Sequence, residues 1–158
     1  AGTGTIYDHI LSIDAESYLD VDEELVPSGR KNPVAGGAFD FRKPKPMGKD
    51  IEAAHGYDHC FVLNRNGDKH QIRVAAPKSG RVLTIFTTQP GVQLYTSNFL
   101  DNAKTRSGIV GKHGAFCLET QGFPDAVNHP EFPDAVLRPG KHYYEKAVHR
   151  FGTDKEHV

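Results

Sequence analysis

The sequence predicts an all-β protein, a sandwich or barrel made of many short strands. Three observations lead there. With 16 Gly and 10 Pro in 158 residues, hardly any stretch runs long enough for a standard helix. Between those breaks the chain shows short runs of β-type alternation. Turn-forming clusters separate the runs at intervals of about 8–12 residues, as in sandwiches and barrels.

In chain order, Leu11 and Ile13 alternate with Ser12 and Asp14, and Phe39 and Phe41 alternate with Asp40 and Arg42. Ile72, Val74 and Ala76 alternate with Gln71 and Arg73. Residues 81–88 are a β-branched run, and residues 92–96 are a second one after the Gln89-Pro90-Gly91 break. Residues 115–120 and 143–151 are the last strand candidates. Turns are expected at Pro27-Ser28-Gly29, Asn66-Gly67-Asp68 and Lys78-Ser79-Gly80. The last two frame residues 72–76, so residues 60–90 read as a three-stranded meander. The one weak helix candidate, residues 50–55, is about one turn long. Residues 122–140 carry Pro124, Pro130, Pro133 and Pro139 and a five-residue repeat, Phe123-Pro124-Asp125-Ala126-Val127 and Phe132-Pro133-Asp134-Ala135-Val136. This stretch reads as a rigid extended loop, its prolines reducing the entropy lost on ordering.

A length of 158 residues fits one domain. A net charge of −1 and a pI near 6.8 give no reason to expect nucleic acid or an anionic membrane as partner. Mean hydropathy is −0.52, and no apolar run approaches the roughly 20 residues of a membrane span. Cys60 and Cys117 each sit in an apolar stretch and are expected to be reduced, buried core thiols, which fits a cytoplasmic protein. The chain opens at Ala1 without Met and is expected to be cut from a longer protein.

Polar side chains inside apolar strands carry the functional signal, because burying them is costly unless they are paired or used. Three stand out. Glu119 follows Ala115-Phe116-Cys117-Leu118, Gln93 lies between Val92 and Leu94, and Asp58 directly precedes the apolar run 60–63. Each also has an ordinary reading. Glu119 would face solvent from the polar side of a strand, Gln93 would bond a neighbouring loop, and Asp58 would cap a turn. Nine histidines are scattered along the chain. His55 and His59 are four apart, but Gly56-Tyr57 between them does not suggest a helix, so no metal site is expected. The Gly-rich stretch 108–114 lacks the ending of a phosphate loop, and no serine sits in a Gly-x-Ser-x-Gly frame.

Taken together, several segments resemble the aldose 1-epimerase (galactose mutarotase) family. They are Val21-Asp22-Glu23 with Val26-Pro27-Ser28-Gly29, Phe39-Asp40-Phe41-Arg42, Gly56-Tyr57-Asp58-His59-Cys60-Phe61, and the run from Thr87 to Phe99 that contains Gln93. Cys117-Leu118-Glu119-Thr120-Gln121, Phe123-Pro124-Asp125-Ala126-Val127-Asn128 and Leu137-Arg138-Pro139-Gly140 follow in family order. The resemblance implies a large antiparallel β-sandwich, of which residues 1–158 would be the C-terminal portion, about half. It implies Glu119 as general base and Asp58 and Gln93 as binders of sugar hydroxyls. The expected reaction exchanges the α and β anomers of free aldoses such as galactose and glucose by acid–base ring opening, without metal or redox cofactor. An apolar neighbourhood would tune the strength of the Glu119 base.

The family's general acid is a histidine in an Asn-His-aromatic-Phe-Asn-Leu segment that would precede Ala1, and none of the nine histidines here has that frame. This chain alone is therefore expected to be a poor enzyme. The missing half, or another chain pairing at sheet edges, is the expected partner besides the sugar. Two other readings remain at this stage: a non-catalytic carbohydrate-binding half, and a glycoside hydrolase using Asp58 and Glu119 as its carboxylate pair.

Overall fold

A computed structural model describes residues 4–64, 71–106 and 108–154. Twelve strands are present among them: β1 (Ile10–Ile13), β2 (Ala15–Val21), β3 (Pro27–Pro33), β4 (Lys45–Pro46), β5 (Asp58–Leu63), β6 (Ile72–Ala76), β7 (Arg81–Thr87), β8 (Gly91–Tyr95), β9 (Ala103–Thr105), β10 (Gly108–Val110), β11 (Cys117–Gln121) and β12 (Ala147–Thr153). They form two five-stranded antiparallel sheets, β12-β7-β6-β1-β4 and β11-β8-β5-β2-β3, and a separate hairpin of β9 and β10. The expected all-β class and antiparallel sandwich are what the chain adopts.

The chain changes sheet repeatedly, as from β1 to β2, from β5 to β6 and from β7 to β8, which is how a short sequence makes two layers. Asp14 alone separates β1 from β2. Its N–H donates to the Gln71 carbonyl at 2.7 Å, and the Asn64 amide donates to its carboxylate at 2.7 Å. Nearby, buried Gln71 exchanges two bonds with the Thr87 backbone, accepting at 3.0 Å and donating at 2.9 Å. Leu11, Ile13, Phe41, Phe61, Ile72, Val74, Ile85, Val92 and Leu94 fill the space between the sheets.

That core corrects the meander. β6 and β7 form a hairpin through the Lys78-Ser79-Gly80 turn, as expected, but β5 lies in the other sheet. Phe61 of β5 and Ile72 and Val74 of β6 belong to the same core, so the two strands face each other across it. The Asn66-Gly67-Asp68 turn lies outside the described residues.

Other expectations shift for local reasons. Residues 39–42 are not a strand. The Asp40 carboxylate takes N–H bonds from Gly36 and Arg42, and Phe39 stacks on Tyr18 with centroids 4.1 Å apart. Pro27-Ser28-Gly29 starts the bulged strand β3, because Asp22 sets the turn earlier by accepting from the N–H groups of Glu24 and Val26, both at 2.9 Å. Residues 50–55 make a single helical turn, with Ala54 N–H bonded to the Asp50 carbonyl at 3.0 Å. The last strand begins at Ala147, later than expected. Residues 122–140 contain no strand and one short 3-10 turn, Ala126–Asn128. The repeat has a structural use: Phe123 and Phe132 meet edge to face at 5.2 Å and pack with Leu19 and Cys60 on the outer face of the second sheet.

A candidate sugar-binding cleft

Strands β5, β8 and β11 lie side by side, and their register assembles the site. Asp58 stands opposite Tyr95, Cys60 opposite Gln93, and Gln93 opposite Glu119. Side chains alternate along a strand, and directly paired residues share a face. Phe61, Val92 and Leu94 point into the core, so Asp58, Gln93 and Glu119 point out on the other face. All three line one cavity of about 330 Å³, within the range of small-molecule clefts. Cys60, Tyr95 and Gln121 share its floor, and Leu25, Phe99 and Pro124 rise from loops around it.

The Gln93 side-chain N–H donates to Asp58 Oδ1 at 2.7 Å. Asp58 and Gln93 are half-buried, whereas Glu119 is exposed on β11, a strand at the end of its sheet. The apolar surroundings expected for Glu119 are thus absent. Its cross-strand neighbour is Gln93, and Cys117 and Gln121 flank it on the same face. Cys117 is exposed, not a core thiol, because the alternation that turns Leu118 inward turns its neighbours outward. Partial desolvation and the nearby Glu119 and Asp58 carboxylates push its thiol pKa up. Cys60 is buried as expected, and burial pushes its pKa up to about 12.

His59, next to Asp58 in sequence, faces the opposite side. Its ring lies against Phe39 at 4.6 Å and Tyr18 at 5.7 Å. His55 is exposed in a left-handed turn at φ 53°, so it forms no pair with His59. Among the described residues, no group of three or more His, Cys, Asp or Glu side chains could hold a metal ion. Lining residues the sequence did not single out as a site are Tyr95, Gln121, Leu25 and Phe99. Period-two spacing from Gln93 and Glu119 would have found Tyr95 and Gln121, whereas Leu25 and Phe99 reach the cavity from loops. A larger cavity, about 870 Å³, lies among residues 36–53, where Arg42 bridges Asp40 and Glu16 and Lys45 pairs with Asp50.

An antiparallel sandwich with a carboxylate–amide floor on the outer face of one sheet defines a class of small polar clefts able to hydrogen-bond a ligand. Comparison with known proteins makes the family specific. The aldose 1-epimerase family profile matches residues 1–150, and the chain belongs to that family. It is 52% identical over 157 residues to the galactose mutarotase of Pongo abelii, covering 96% of this chain and 46% of the relative. It is 53% identical over 153 residues to the human galactose mutarotase, covering 94% of this chain and 45% of the relative. The crystal structure of an aldose epimerase homologue from C. elegans superposes with a TM-score of 0.89 at 31% identity, over 96% of this chain and 48% of that one. The chain thus spans about half the length of the relatives it matches. No helix among the described residues is long and apolar enough to cross a membrane.

Proposed function

We propose that this chain is the base-bearing, C-terminal portion of an aldose 1-epimerase that acts on free aldoses such as galactose and glucose. The observation that carries the reading is the shared outer face of Asp58, Gln93 and Glu119 on three adjacent strands. Glu119 takes the proton of the C1 hydroxyl. The C1–O1 bond becomes a carbonyl as the bond from C1 to the ring oxygen breaks, and that oxygen takes a proton from an acid. Rotation about C1–C2 and closure on the other face, with both protons returned, gives the other anomer. Asp58 and Gln93 hold sugar hydroxyls through the reaction. Their mutual hydrogen bond fixes both before the sugar arrives, which reduces the ordering cost of binding.

The acid is proposed to be the family histidine, which has no counterpart in these 158 residues. Among the described residues, none of the histidines lines the cavity. Among the described residues, strand β11 pairs with β8 on one side only, and the remainder of the sandwich is proposed to join along its other edge. The buried Cys60 thiol fits a reducing, cytoplasmic compartment.

Polarimetry on freshly dissolved α-D-galactose and α-D-glucose, together with calorimetric titration of each sugar, tests the proposal. Sugar binding, with any acceleration over buffer disappearing in Glu119→Gln, supports it. No binding and no difference between the chain and this variant would overturn it. Release of sugar from a glycoside would point to hydrolysis.

A further inference from the structure

Two aromatic side chains stand at one end of the cleft, Tyr95 half-buried and Phe99 exposed. Tyr95 follows Gln93 by two residues on β8 and shares its face, and Phe99 sits on the loop beyond. Their rings are stacked, with centroids 6.2 Å apart and planes 24° from parallel. Phe99 is 72% exposed at the rim of the polar cleft.

The backbone beneath Phe99 is nevertheless firmly held. The Asn98 amide donates to the Tyr57 carbonyl at 2.9 Å and accepts from the Thr96 hydroxyl at 2.7 Å. The Phe99 N–H donates to the Tyr95 hydroxyl at 3.4 Å. An anchored backbone therefore presents an unburied ring, which is how a preorganised contact surface is built.

We propose that Tyr95 and Phe99 form an apolar wall on which the sugar rests by a C–H face, and that this wall favours galactose over glucose. The inference rests on the sugar-binding reading above. Gln93 stands opposite Glu119, and Tyr95 lies two residues further along β8. At a rise of about 3.4 Å per residue, the wall stands roughly 7 Å along the strand from the base. With C1 at Glu119, the wall meets the far side of the pyranose, around C3, C4 and C5. That side is identical in the two anomers, so gripping it leaves C1 free to invert and helps neither anomer.

Aromatic faces attract the positive edges of C–H bonds. The axial O4 of galactose leaves the hydrogens on C3, C4 and C5 together on one face. In glucose, the hydrogen on C4 points to the other face, so the same wall gains less.

Saturation-transfer NMR on this chain with D-galactose and with D-glucose tests the inference. In the unaltered chain, transfer to galactose should be strongest at the hydrogens on C3, C4 and C5. Phe99→Ala should weaken galactose binding roughly three- to tenfold and glucose binding less, while Phe99→Trp preserves the preference. In any mutarotation assay the alanine change should raise KM and leave kcat alone, because the contact is equal in ground and transition states. Since Phe99 is exposed, the melting curve of Phe99→Ala should match that of the unaltered chain. Unchanged galactose affinity and transfer pattern in Phe99→Ala would overturn the wall while the sugar reading stands. Absence of transfer to either sugar in the unaltered chain would overturn both.

Discussion

The side-chain amide of Gln93 donates to the Asp58 carboxylate at 2.7 Å across the β5–β8 pair, so the two groups enter the cleft as one unit. A hydrogen bond to an ionised acceptor is stronger than one between neutral groups. Asp58→Asn keeps the shape and loses the charge. Galactose affinity should fall about tenfold, while stability changes by less than about 1.5 kcal/mol. Calorimetric titration and urea denaturation, run side by side, separate the two effects; a large stability loss would mean that the pair is structural.

Gly56 should not tolerate a side chain. Its backbone is left-handed at φ +82°, and an added Cβ would lie 2.1 Å from the Asn98 amide oxygen. Gly80 is also left-handed, at φ +70°, but a Cβ there meets nothing within 4 Å. Urea denaturation should therefore show Gly56→Ala losing about 2–4 kcal/mol and Gly80→Ala only about 1. Sugar affinity should drop only in the first, because Asn98 supports the turn before Asp58 and the loop carrying Phe99. Equal losses would mean that the Asn98 contact relaxes freely.

Phe123 and Phe132 should be energetically coupled. They sit nine positions apart in the two copies of the repeat and meet edge to face. Either alanine substitution should cost about 3 kcal/mol, and a double-mutant cycle should return a coupling of about 1 kcal/mol. A coupling near zero would show that each ring packs independently on Leu19 and Cys60.

Acid should destabilise the fold partly through His59. Burial lowers its pKa, opposed by the Asp58 and Asp20 charges. The Asp58 N–H donates to its Nδ1 at 3.2 Å, which also requires that nitrogen to be unprotonated. The unfolded chain takes up the proton at about pH 6.5, before the folded one does. The contribution of His59 is thus complete above that pH and is lost as pH falls through the interval between the two values. Between pH 7 and 5 the melting temperature of His59→Phe should decline less than that of the unaltered chain. Parallel declines would assign the acid sensitivity elsewhere, for instance to His9, whose pKa burial also lowers.

Much of the fold could be read locally. Alternation marked β1 and β6, because one face of each strand meets the core and that demand is written at every second residue, and β-branched runs marked β7 and β8. The same logic exposed Glu119, Gln93 and Asp58 as polar residues in apolar surroundings. It failed at residues 39–42, where alternation was present but the Asp40 side chain competed for the backbone N–H groups of Gly36 and Arg42. It also failed at Pro27-Ser28-Gly29, where turn-forming residues open a strand because Asp22 had already turned the chain.

The sequence by itself therefore determined the all-β class, the motifs that mark the family, and the three polar residues of the cleft. Tertiary structure alone decided that β5 and β6 lie in opposite sheets, that His59 faces away from the cleft beside Asp58, that Cys117 is exposed, and that Phe99 joins the rim. The division has a physical origin. A strand's apolar period depends on residues two apart, whereas its sheet, register and covering layer depend on partners tens of residues away, as when Glu119 finds Gln93 and Gln93 finds Asp58.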